Sequence, residues 1–178
     1  MQSQAHSLSP AELVGALNAL DVPFLAGGIF GAHLAPAELI TNLARAPEAR
    51  LRAAIIPLVI RHPEYANDVR TAGKSLSDLP QITCKCFYTA AVLLQRAYHE
   101  RLMRLFGAQF ILPDWFSAEL DLTLTADVDT SLHALGERQT ALTALTINWV
   151  GTYRHAAERF IKHCEIEQRW NQTLHHAA

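Results

Sequence analysis

Cys84-Lys85-Cys86, His163-Cys164 and Arg101 are the residues whose types and spacing invite a chemical reading. Thiolates and imidazoles hold zinc when four of them meet in a tetrahedron, so Cys84, Cys86, His163 and Cys164 make up a candidate metal set. Their spacing follows no standard zinc finger. Residues two apart on a helix point about 200° apart, so the paired thiols approach one ion more readily at a helix start than inside one. The plainer reading makes them small apolar core residues that hold no cofactor. His155 and His163 lie about 12 Å apart along a helix, too far to share a metal, and His155 with Arg159 is an i,i+4 pair of the sort found on solvated faces. Arg101 falls inside an apolar stripe. A guanidinium there needs a partner, Asp114 or an acid of the last helix, unless its stem packs while its head stays in water.

Arg169 is followed by His175 and His176 near the end of the chain. An arginine separated by four to six residues from a histidine on a late helix resembles the signature of small helical ribonucleases of the HEPN type. That resemblance implies a nucleic-acid-processing enzyme with Arg169 and His175 as its catalytic pair, His176 being the longer option. The motif is placed late, since both histidines fall in the last four residues. Arg159 and His163 stand too close together for it. A serine hydrolase is excluded by the absence of G-x-S-x-G and of a strand framework to carry it. Gly27-Gly28 is followed by no Gly-Lys-Ser/Thr, which argues against a phosphate loop. The acid pairs Asp127/Asp129 and Glu165/Glu167 read as helix caps and surface charge.

The elements that must position these residues read as helices throughout. Ile82 to Gly107 keeps one helical beat without a proline: Phe87, Ala90, Ala91, Leu94, Tyr98, Leu102 and Leu105 form one stripe. Lys85, Thr89, Arg96 and Glu100 lie opposite, and Gly107 is a natural stop. A second long amphipathic helix is predicted from about Ala144 to Gln168, with Trp149, Val150, Tyr153, Ala156, Ala157, Phe160 and Cys164 on one side. Ser9-Pro10-Ala11-Glu12 opens a helix. Prolines open short helices from Pro36 to Ala72, and Pro57 should kink or end one of them. Phe24 to Leu34, rich in glycine, suggests a buried turn. Ala108 to Ala126 is read as coil with a short helical turn, Asp127 to Gly136 as a short helix, and Arg138 to Thr143 as a link.

Composition bounds the rest. A chain of 178 residues with 50% hydrophobic content suits one domain with a sizeable core. A net charge of -2 argues against a protein held mainly to nucleic-acid phosphates. The most basic stretch, Arg45 to Arg70, reads as a solvated helical face, because no aromatics are interleaved with it. Arg50, Arg52, Arg61, Arg96 and His99 are the candidates for meeting a partner. No signal peptide is evident, and the apolar runs stop well short of the roughly 20 residues of a membrane span. Three cysteines, an odd number, fit reduced thiols and a cytoplasmic location. The expectation is an all-α, single-domain helical bundle of roughly six to eight helices, two of them long and amphipathic. Residues 1–8 form a flexible lead, 9–170 the domain and 171–178 a frayed tail.

Finally, RLRAAIIPLVIRHPE, YTAAVLLQRAYHERL and INWVGTYRHAAERF together resemble uncharacterised bacterial helical proteins found beside minimal nucleotidyltransferases, in toxin–antitoxin or defence arrangements. The resemblance brings no catalytic residues. It implies a regulatory or antitoxin-like subunit whose partner is another protein, a nucleotidyltransferase-like one or a second copy of itself.

Overall fold

The computed structural model describes residues 8–23, 25–27 and 33–176, the last two without their side chains. Most of the expected lead, part of the glycine-rich turn and the final two residues lie outside these. Helix α1 (Pro10–Ala19) opens on the box its sequence calls for: the Ser9 amide donates to Glu12 Oε2 at 2.8 Å and the Glu12 amide to Ser9 Oγ at 3.3 Å. Then come α2 (Pro36–Arg45), α3 (Ala49–Ala53) and α4 (Ile55–Arg61). As expected, the segment around Pro57 is split and its first half ends just before the proline. The chain turns at Ala54, and Pro57 sits in the first turn of α4, where its missing N–H has no intrahelical acceptor to lose. Every residue from Ile55 to Ile60 is buried. A helix apolar all round belongs at the centre of a domain, and α4 packs against both of the longest helices.

After a short 3-10 turn and α5 (Ala66–Ser75) the chain enters α6 (Asp78–Ala97) and α7 (His99–Phe106). The single helix expected from Ile82 to Gly107 therefore bends at Tyr98. Its hydrogen-bond ladder survives the bend, with Tyr98 N donating to Leu94 O and Leu102 N to Tyr98 O. Contacts to a distant helix are made at and just after this point. The Tyr98 hydroxyl donates to Glu158 at 2.7 Å, and Arg101 grips Glu165 with Nε at 2.8 Å and Nη2 at 2.9 Å. Both acids belong to α9 (Trp149–His176), so these contacts tie α7 to α9. Nor is α6 one-sided. Phe87 and Leu94 are buried as expected, but so is Thr89, whose hydroxyl donates to Lys85 O, and Lys85 is half-buried and reaches Glu119 at 2.9 Å. Other elements cover α6 on nearly every side.

The last helices differ most from expectation. Gly136 does not stop a helix; α8 runs from Val128 to Thr143, through the expected link, and ends on left-handed Ala144. Gly136 serves close approach instead, since a Cβ there would meet Trp149 Cβ and Val150 Cγ2, both at 3.4 Å. Leucine at position 136 has no room and should cost about 2 kcal/mol in a urea melt, whereas alanine, whose helix propensity offsets the tight contact, should leave the midpoint nearly unchanged. Helix α9 starts at Trp149, later than the predicted Ala144, and the tail expected to fray continues it to His176.

The segment between α7 and α8 has no strand, and α6 holds much of it in place. The Tyr88 hydroxyl donates to Pro113 O at 2.8 Å. Gln95 donates to Phe110 O at 2.9 Å and accepts from Leu112 N at 2.8 Å. Phe87 meets Trp149 and Tyr153 edge-on at 6.4 and 5.8 Å, which joins α6 to α9. One continuous apolar core makes the chain a single all-α domain. Among the described residues no helix is long and apolar enough to cross a membrane.

Candidate functional site

The cysteines do not assemble the candidate metal set. Cys84 and Cys86 are buried within α6, and burial pushes both thiols up to about 12. Cys164 lies on α9 beside a different hollow, which it lines with Arg61, Phe106 and Glu167. His163 Nε2 lies 3.1 Å from Glu167, on the same helix. Among the described residues no three His, Cys, Asp or Glu side chains converge as metal ligands. A thiol held neutral by burial is a poor nucleophile and a poor ligand, so these cysteines act as core residues.

The arginines also part company. Arg50 is exposed and paired with Glu48 at 2.7 Å. Arg61 reaches Asp21 at 3.4 Å and lies over the Phe106 ring, while Arg70 stacks on Trp115 at 4.5 Å. Arg96 and His99 line a hollow of about 320 Å³ between α6, α7 and the loop after α7. Arg101 took the acid of the last helix, and this hydrogen bond holds the Glu165 carboxyl below its usual range. Arg169 is exposed, with Nε donating to Glu165 O at 3.2 Å. The side chains of His175 and His176 lie outside the described residues. Positions 169 and 175 stand about 120° apart around a helix.

What the fold does bring together is a cleft of about 330 Å³ where the α2–α3 turn faces α6, α8 and α9. Its walls are Phe87, Trp149, Leu79, Pro80, Leu145 and Ile147. Leu79, Leu145 and Ile147 leave about half their surface in water. Arg45 and Arg52 stand at its edge. Arg52 Nη1 donates to Ala46 O and Pro47 O, both at 2.7 Å, so the guanidinium is fixed by its own turn. Gln139 is buried at the back and accepts the Tyr153 hydroxyl, which orients both. The Trp149 side chain is only 8% exposed, and its Nε1 has no hydrogen-bond partner. Apolar walls with a few directed donors are the makings of a binding site; no nucleophile, base or paired carboxylate accompanies them.

Sequence reasoning picked out Arg52 as an interaction candidate and placed Phe87 and Trp149 in the core, where they lie, but passed over Arg45, Gln139, Leu145 and Ile147 as site residues. The one local signal for the last two was a pair of large apolar residues, Leu145 and Ile147, in a stretch between helices. In comparisons with known protein families, curated proteins and solved structures, no family, protein or structure matches the chain.

Proposed function

We propose that the chain is a cytoplasmic, non-catalytic helical subunit that works by binding another protein, in a regulatory or antitoxin-like role. The observation that supports this is the far end of α9. Ile166, Trp170 and Leu174 recur every fourth residue there, and they are 40%, 68% and 64% exposed. Spacing of four keeps them on one face, and everything from Ile166 to Leu174 around them is exposed too. A projecting helix with an aromatic and two aliphatic residues in a row is the form in which amphipathic helices enter a partner's groove. The partner is a nucleotidyltransferase-like protein or a second copy of the chain. The resemblance carried by RLRAAIIPLVIRHPE and the two later stretches supports the first of these, and the free thiols support the compartment.

The test is purification of the tagged full-length chain from its native host beside a Trp170→Ala/Leu174→Ala variant. Both residues are exposed, so the variant keeps its fold. The wild type should carry one stoichiometric partner, or run as a dimer, and the variant should lose at least about thirtyfold in affinity, since a buried interface tryptophan is worth about 2 kcal/mol or more. Elution of both proteins alone at monomer mass would end this reading.

A further inference from the structure

The cleft between the α2–α3 turn and α6, α8 and α9 is built for more than an apolar body. None of its lining residues is an aspartate or glutamate. Arg45, exposed at the edge, has no hydrogen-bond or ion-pair partner among the described residues. Arg52 is held in place by Nη1 alone, and its remaining N–H groups face no carboxylate among the described residues. The indole N–H of Trp149 is buried without an acceptor. A buried donor left without a partner is an unrecovered desolvation cost. Two guanidiniums without acids would in turn attract a negative group. The volume of about 330 Å³ is that of a small-molecule site.

We infer that this cleft binds a small amphipathic organic anion: an aromatic or branched aliphatic body lying against Phe87, Trp149, Leu145 and Ile147, with its carboxylate or sulfonate turned to Arg45 and Arg52. The Trp149 ring, which lines the cleft, reports on occupancy. Charge complementarity selects the class. A neutral molecule of the same shape fills the walls but leaves the guanidiniums unanswered, and a cation is repelled by them. The site is independent of the end of α9, so it stands or falls apart from the protein-binding reading.

The probe is 1-anilinonaphthalene-8-sulfonate, titrated against the full chain beside its uncharged analogue, N-phenyl-1-naphthylamine. The indole N–H cross-peaks of the three tryptophans, Trp115, Trp149 and Trp170, give the place of binding by NMR, and Trp149→Phe identifies the peak. The sulfonate should bind once per chain and move the Trp149 peak while those of Trp115 and Trp170 stay. The neutral dye should bind about tenfold more weakly. Arg45→Gln, at an exposed position that leaves the fold intact, should weaken the sulfonate about five- to tenfold and leave the neutral dye unchanged. Equal affinities for the two dyes, an unchanged sulfonate affinity in Arg45→Gln, or a peak shift at Trp170 in place of Trp149 would each overturn the assignment.

Discussion

Phe87→Ala is expected to lower the stability of the fold by about 3–5 kcal/mol, a large part of the roughly 5–15 kcal/mol that holds a typical domain together. The ring is 2% exposed and is the aromatic link from α6 to α9, edge-on to both Trp149 and Tyr153. Its removal leaves a cavity that neither helix can close alone, because α6 is fixed on its other sides by α2, α4, α5 and α8. Urea unfolding measures the effect, with Phe110→Ala as the control. Phe110 is 61% exposed, so its loss should stay within about 0.5 kcal/mol. If both variants melt at the wild-type midpoint, Phe87 does not join the two helices.

The second large effect is alkaline loss of stability. Burial raises Cys84 and Cys86 from near 9 to about 12, and Tyr98 is raised to about 12, by burial first and then by its hydrogen bond to Glu158. Tyr88 and Tyr153 are raised as well, again by burial first. In each case the fold favours the neutral, protonated form. Below about pH 9 folded and unfolded chains both hold these protons, and the full contribution is present. As pH rises from about 9 towards about 12, the unfolded chain sheds protons that the fold retains, and stability falls. Each pH unit inside a thiol's window removes about 1.4 kcal/mol. Cys84 and Cys86 together should therefore cost a few kcal/mol between about pH 8 and about pH 10.5. Urea midpoints at the two pH values measure it, and a Cys84→Ala/Cys86→Ala variant should show a shallower decline. A flat profile for the wild type would contradict the burial of these groups.

Much of the architecture could be read from local pattern. Ser9 to Glu12 makes its capping box because the four residues contain everything the box needs. Trp149, Tyr153, Ala157 and Phe160 are buried along one side of α9 because helical periodicity alone decides which way they face. Where local pattern misled, the cause lay in distant residues. Gly136 looks like a helix end until Trp149 and Val150 arrive against it. Tyr98 looks like one more stripe residue, but α6 ends just before it and its hydroxyl reaches Glu158 on α9. Thr89 reads as a water-facing residue because its neighbours on that side come from other helices. The cleft was hidden for the same reason. Arg45 and Arg52, Leu79 and Phe87, and Gln139 to Trp149 come from three separate parts of the chain, and no spacing within any one of them announces a site.

In the segment from Phe110 to Pro113, side chains stand in for a backbone ladder. Its amides and carbonyls have few partners in their own stretch; Gln95 and Tyr88 supply them from across the gap. Those two residues can do so only where α6 has its final rotation, so this stretch depends on the docked helix for its shape. It can also come away by itself without unwinding a turn of helix. Slow amide exchange at Leu112 would then report the latching of one excursion, distinct from the global unfolding that the core amides of α4 would record.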